Sequence, residues 1–283
     1  MTAILLDLSG KLPPEVEAVL QEVARIAAAE EVSLFIVGAL ARDLLLEHAW
    51  NIPPQRATKD IDFGVQVESW AQFEALKTAL IATTQYSQHP HQQQRLLHQN
   101  GVIVDVVPFG AIESPTGSIT WPHQEGITMT TLGFSEAYQH TVRVLIAGDT
   151  ELAVCSQAGL ALLKLIAWNE RRERKDAGDL GVLLYYYLEA GHEDRLYEEH
   201  ADLLDIPDYK LAGASILGRD ISLLLTAQSR PVVEAILQRE TAPESRFHLA
   251  SAMLSTCHFY ADDFDRVLAM LEALQAGIQD VRA

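Results

Sequence analysis

The segment Thr58-Lys59-Asp60-Ile61-Asp62-Phe63 constrains the fold of this chain more than any other. Acidic and apolar residues alternate in it, and on a β-strand successive side chains point to opposite faces. Asp60 and Asp62 therefore project from one face, while Ile61 and Phe63 enter a core. Two carboxylates so placed repel each other unless a cation lies between them, and paired Mg²⁺ ions are the usual cation where phosphoryl groups are moved. Acid-x-acid pairs also arise by chance, so the surroundings decide. Upstream, Phe35-Ile36-Val37-Gly38-Ala39 reads as a strand ending in a sharp glycine turn. Downstream, the β-branched run from Gly101 to Phe109 reads as a buried strand with Asp105 at its middle. A lone Asp there is costly unless paired, hydrogen-bonded or bound to metal. A structural partner such as a lysine would satisfy it; three acids on two strands fit a metal site better.

Composition sets the bounds. The 283 residues are enough for one large domain or two smaller ones. With 48% hydrophobic and 21% charged residues the chain is globular rather than disordered. A formal charge of −18 disfavours broad non-specific binding to nucleic acid, though not a local basic patch. Cys155 and Cys257 are the only cysteines, so a disulfide framework is not expected and a reducing cytoplasm fits. Cys155, beside Leu152-Ala153-Val154, reads as a buried small hydrophobe. The N-terminus lacks the basic region and apolar run of a signal peptide, and no segment has the length of a membrane span. The expectation is a cytoplasmic protein with no membrane association.

Along the chain, Pro13-Pro14 opens an amphipathic helix, Ser33–Val37 a strand, and Leu40–His48 a helix. Asn51–Lys59, with Pro53 and Pro54, is a loop. The acid-bearing strand, a helix over Glu68–Ala82 and a polar stretch from Gln85 to Asn100 follow. After the Asp105 strand comes a loop holding Pro115, Gly117 and Pro122. Ile127–Leu132 and Val142–Ile146 read as strands around a short helix, Phe134–Tyr138. From Ser156 the pattern is helical, with helices over 157–172 and 174–190 and a boundary at Gly191-His192. The expected domains are 1–190, carrying all the chemical motifs, and a helical region, 191–283. His89, His91 and His98 match no zinc spacing and read as solvated.

A second constellation lies on the helices. Lys164 interrupts an apolar run, and Arg171 follows about two turns later on the same face. Both cations could reach one anionic ligand such as a triphosphate; the alternative is that Lys164 snorkels and Arg171 begins a solvated basic run. Asp176 and Asp179 are neighbours on the next helix, where acids in the first turn also stabilise the N-terminus.

Taken together, these residues resemble the nucleotidyltransferase superfamily with a DNA polymerase β-like fold, and within it the abortive-infection (AbiEii/AbiGii-type) toxin nucleotidyltransferases. The glycine turn corresponds to Gly38-Ala39 and the acid strand to Asp60-Ile61-Asp62. The Lys-x-x-Ala-x-x-x-Arg helix corresponds to Lys164, Ala167 and Arg171, and Asp-x-x-Asp-Leu to Asp176, Asp179 and Leu180. Gly38–Leu45 is also similar to the opening motif of tRNA CCA-adding enzymes, with Arg42-Asp43 as its Arg-Asp pair. Ala39 stands where the family usually has Gly or Ser. The resemblance covers roughly residues 31–190. It implies an α+β fold, a polymerase β-like core of mixed sheet and flanking helices followed by a helical C-terminal region.

It also implies a function: transfer of a nucleoside monophosphate from a nucleoside triphosphate to an acceptor hydroxyl, with tRNA as an acceptor and a cognate antitoxin as partner. Asp60, Asp62 and Asp105 would be catalytic and would hold two Mg²⁺ ions. Gly38, Ala39, Arg42, Lys59, Lys164, Arg171 and Asp176 would contact the nucleotide. Two other readings stay open. One is a transferase acting on a small cationic antibiotic; the other is a catalytically silent nucleotide-binding protein.

Overall fold

A computed structural model describes residues 5–53, 60–122 and 126–280. The chain forms two compact units, one of residues 1–49 and 56–156, the other of 50–55 and 157–283.

The first unit is built on a mixed sheet. In chain order it contains β1 (Leu5–Asp7), α1 (Pro14–Ala29), β2 (Ser33–Val37) and α2 (Gly38–Asp43), which runs into a π-helical turn at Leu44–His48. There follow β3 (Asp60–Val67), α3 (Trp70–Ala82), β4 (Tyr86–Gln88), β5 (Arg95–His98) and β6 (Ile103–Gly110). The unit ends with β7 (Ser118–Thr120), β8 (Thr128–Thr130), α4 (Phe134–Gln139), β9 (Thr141–Ile146) and β10 (Thr150–Cys155). Among the described residues the main sheet has the order β1-β9-β10-β2-β3-β6-β5-β4, with β7 and β8 forming a separate hairpin. β3 and β6 are parallel neighbours near its centre, and β2 runs antiparallel to β3.

The sequence accounts for these elements. Pro14 starts α1 where its missing N–H costs nothing, and Val19, Leu20, Val23, Ile26 and Ala27 form the buried stripe. Ser69 caps α3 by accepting from the Gln72 amide at 3.3 Å. In β3, Ile61, Phe63 and Val65 are buried. Fully burying a Phe or Ile contributes roughly 1.5–3 kcal/mol, and the two flanking acids cannot take part in that. Phe35, Phe109 and Tyr138 pack with ring centroids 5.5–5.8 Å apart; Phe35 pairs with Gly64 and Phe109 with Gln66, so both phenylalanines lie on the acid-bearing face, further along the strands.

Three readings need amending. The polar stretch Gln85–Asn100 contains β4 and β5, the outer pair on one side of the sheet. The loop around Pro115 and Gly117 contains β7, and β1 and β10 were not anticipated. Short outer strands such as β1 and β4 lack the two-sided burial that makes a strand legible as an apolar run, whereas β10 is an inner strand buried over Leu152–Cys155. The helix expected over Leu40–His48 begins earlier, at Gly38, and its second half is π-helical.

The second unit is helical: α5 (Gln157–Arg171), α6 (Arg174–Tyr186), α7 (Glu193–Glu198), α8 (Tyr209–Leu224), α9 (Ser229–Thr241), α10 (His248–Thr256) and α11 (Phe264–Gln279). α8 and α11 meet at Gly218 and Gly277, where an added Cβ would lie 2.3 Å from the Leu274 carbonyl oxygen or 2.1 Å from that of Ser215. Asp208 and Asp263 cap α8 and α11. The compact units part between Ser156 and Gln157, not at Gly191-His192, so the motif-bearing α5 and α6 belong to the helical unit. The turn at Gly191 lies inside that unit for a clear reason. Gln157 Nε2 donates to the Ala190 carbonyl at 3.0 Å, and its Oε1 lies 3.1 Å from His192 Nε2. The His192 ring stacks on Tyr187 with centroids 4.2 Å apart.

Candidate active site

The alternation in β3 is realised: Ile61 and Phe63 are buried, while Asp60 and Asp62 are part-exposed on the other face. In the parallel pairing of β3 with β6, Asp62 stands directly beside Asp105. Register partners in a parallel pair share a face, so all three carboxylates lie on one side of the sheet. Val37, the last residue of β2, pairs with Asp62 from the other side. That register places the following residue, Gly38, against the Asp62 carboxylate.

Gly38 is glycine for two independent reasons. Its φ of +70° is in the left-handed region that L side chains avoid. A Cβ there would also fall 2.1 Å from Asp62 Oδ2. Turn and acid strand are thus one packed feature. Ala39 is buried at the start of α2. Arg42 is only 2% exposed, and its Nε and Nη2 donate to Asp43 Oδ1 at 2.8 and 2.5 Å. Lys59 lies outside the described residues.

The partner of Asp105 was missed by sequence reasoning. Arg95, opposite Asp105 in the β5–β6 pair, donates from Nε to Oδ1 at 2.8 Å and from Nη2 to Oδ2 at 2.6 Å. Its Nη2 also lies 3.4 Å from Asp60 Oδ2. The Asp105 hydrogen bond, against the opposing effect of burial, raises the Arg95 pKa; the charges of Asp105, Asp60 and Asp62 add to the rise. A signal for this pairing exists. Asn100-Gly101 is a hairpin dipeptide, and it turns the chain from β5 into β6, with the His98 amide donating to the Val102 carbonyl at 3.0 Å.

The donor chemistry of this face suits a hard divalent cation: carboxylate oxygens only, with Asp60 and Asp62 on the same side of one strand. Among the described residues, no group of three or more His, Cys, Asp or Glu is arranged to hold a metal ion. His89 and His91 have ring centroids 6.2 Å apart, and His98 packs edge-on to Tyr86. Cys155 is fully buried and its thiol is pushed up by burial; Cys257 is pushed up to about 11 by the same cause.

The second constellation assembles within the helical unit. Asp176 on α6 is fully buried and accepts from Lys164 Nζ at 3.2 Å and from Arg171 Nε and Nη2 at 2.6 and 2.7 Å. Lys164 Nζ is also 2.7 Å from Asp179 Oδ2. Burial alone would raise the Asp176 pKa; the Arg171 hydrogen bonds and the Lys164 and Arg171 charges outweigh it and hold the carboxyl below its usual range. Lys164 therefore neither snorkels nor stands alone. Its amine is the centre of an ion cluster whose outer cation, Arg171, has a side chain 45% exposed.

A family model described as the AbiEii nucleotidyl transferase toxin of a type IV toxin–antitoxin system matches residues 25–269. The chain belongs to this family. It is a nucleotidyltransferase, and the match spans both compact units of the AbiEii-type chain. No curated protein matches it. Among solved structures it is similar to ANT(2″)-Ia in complex with adenylyl-2″-tobramycin, at 12% identity over 64% of this chain and 98% of that one, with a TM-score of 0.41. An antigenic nucleotidyltransferase-like protein from Paracoccidioides brasiliensis shares 16% identity over 67% and 90% of the two chains, with a TM-score of 0.40. The Thermotoga maritima CCA-adding enzyme complexed with tRNA shares 12% identity over 96% and 82%, with a TM-score of 0.28. Likenesses this distant carry no part of the assignment, which rests on the family match.

Proposed function

We propose that this AbiEii-family protein is a divalent-cation-dependent toxin transferase that moves a nucleoside monophosphate from a nucleoside triphosphate to a hydroxyl of an RNA acceptor, tRNA in particular, releasing pyrophosphate. The observation that carries the proposal is the shared face of Asp60, Asp62 and Asp105 with Gly38 packed against it. Asp60 and Asp62 would hold a cation such as Mg²⁺. Bound there, it would supply Lewis-acid stabilisation of the charge that develops on the triphosphate. Gly38, having no side chain, lets the triphosphate approach the backbone closely. Asp105 accepts the proton of the attacking hydroxyl. Within the helical unit, Asp176, bonded to both Lys164 and Arg171, sets where their charges lie. A cognate antitoxin is the partner that membership of a type IV toxin–antitoxin family brings with it.

A second reading has one observation in its favour. A chain of formal charge −18 attracts a small cationic acceptor and repels RNA at long range. The test separates the two: incubation with each labelled nucleoside triphosphate, Mg²⁺ and total tRNA, with Asp60→Ala as control. Label entering RNA with one or two nucleotides, and lost in the control, is the expected result. Label appearing only on a cationic small molecule would move the acceptor to that class. Label transfer that survives Asp60→Ala would remove the acidic face from the mechanism.

A further inference from the structure

The acidic face carries a permanent cation of its own, and this changes what the face can bind. Arg95 and Asp105 are directly opposed across an antiparallel pair, where side chains sit closest. The guanidinium meets the carboxylate fork to fork, at 2.8 and 2.6 Å, which engages both oxygens in charge-assisted hydrogen bonds. A lysine could not reproduce this planar match. The same Nη2 leans toward Asp60, at 3.4 Å. The Asp105 side chain is 11% exposed against 39% for Asp60, so an arriving ion meets Asp60 first.

Resting on the transferase reading above, we propose that Arg95 is a positioning residue that withholds Asp105 from cation binding. The face then takes one divalent cation, on Asp60 and Asp62, and the guanidinium stands where a second would go. Each Asp105 oxygen keeps a further lone pair, so the carboxylate still accepts a proton from a hydroxyl while Arg95 fixes its direction. This departs from the sequence-based expectation of two ions on three acids. It gives the enzyme one cation that never dissociates.

The test is Mn²⁺ binding to the full chain without nucleotide, followed by calorimetry and by the electron paramagnetic resonance of free Mn²⁺. Wild type is expected to bind one ion; Asp60→Asn should abolish this, and Asp105→Asn should weaken it by no more than about tenfold, the loss of one nearby charge, since Asp105 is not a ligand. Arg95→Met should open a second ion site or tighten binding about tenfold, the scale of one close charge near a protein surface. Adding Asp105→Asn to Arg95→Met should remove that gain. Asp105→Asn weakening Mn²⁺ in wild type as much as Asp60→Asn does would overturn the proposal and leave the transferase reading standing. Asp60→Asn leaving Mn²⁺ binding unchanged would overturn both. Asp105→Asn is nearly isosteric, so the decisive arm survives even where circular dichroism shows Arg95→Met to be unfolded.

Discussion

At the scale of single residues, the site turns on atoms that are absent as much as on those present. Gly38 leaves room for the Asp62 carboxylate, and no other residue could do so at a φ of +70°. Gly38→Ala should therefore cost a few kcal/mol at most in stability, as strained backbone positions do, while displacing Asp62. A displacement near 1 Å at a reacting centre can cost about a hundredfold in rate. Nucleotide transfer by Gly38→Ala, measured beside its melting temperature, is expected to fall by at least about that factor while the protein stays folded. Near-normal transfer would show that Asp62 tolerates the shift and is not held to a catalytic position. Glycine and the acid pair were both legible in the sequence, because a turn before an alternating strand has a local cause. Arg95 was not. Its role comes from standing opposite Asp105 in the sheet, and it was hidden in a stretch that reads as polar loop.

At the scale of elements, α5 and α6 are bound to one another by charge as well as by packing. Asp176, with no exposed surface, neutralises Lys164 and Arg171 across the break between the helices. Removing one partner of a buried pair leaves an uncompensated charge, at about 3–5 kcal/mol. Asp179 still holds Lys164, so Asp176→Asn should fall toward the lower end of that range, read as a drop in the thermal or urea midpoint. A midpoint within experimental error of wild type would mean that Asp176 is kept for the ligand alone and not for the fold. Glu240 plays a comparable part between α5, α9 and α10. It accepts from Arg172 Nη1 at 2.6 Å, from Trp168 Nε1 at 3.4 Å and from the Leu249 amide at 3.0 Å. Spacing on α5 brought Lys164 and Arg171 to one face in advance, since helical periodicity is local. That both meet Asp176, and that Glu240 joins three helices, follows from helix packing and carries no local signature.

For the molecule as a whole, the half-buried His192 and the paired acids make stability depend on pH in one direction. Burial, then the charge of Arg195, lowers the His192 pKa from 6.5 to about 4. Between those values the unfolded chain takes up a proton that the folded chain refuses. His192 therefore contributes stability that is complete above pH 6.5 and declines as pH falls, by on the order of 3 kcal/mol by pH 4. Asp220 and Glu240 extend the loss further into acid. Burial acts to raise both, but the Arg195 hydrogen bonds in one case, and the Leu249 amide and Arg172 in the other, hold them below the usual carboxylate range. Thermal midpoints should fall steeply between pH 6.5 and 4, and His192→Gln should flatten that part of the profile. An unchanged slope in the variant would remove His192 as the cause. No helix of the described residues is long and apolar enough to cross a membrane.

Sequence alone determined the features that depend on neighbours along the chain. These are the acid-bearing strand with its alternation, the glycine turn before it, the buried strand around Asp105, and the helices that follow Ser156. Each is set by a period of two or about 3.6 residues and by the backbone needs of Gly and Pro. Tertiary structure alone decided that Asp105 joins Asp60 and Asp62 on their face, where the compact units part, and which cations meet which carboxylates. Sheet register and helix packing bring together residues far apart in sequence, and a side chain such as Arg95 acquires its carboxylate partner only from what that register places opposite it.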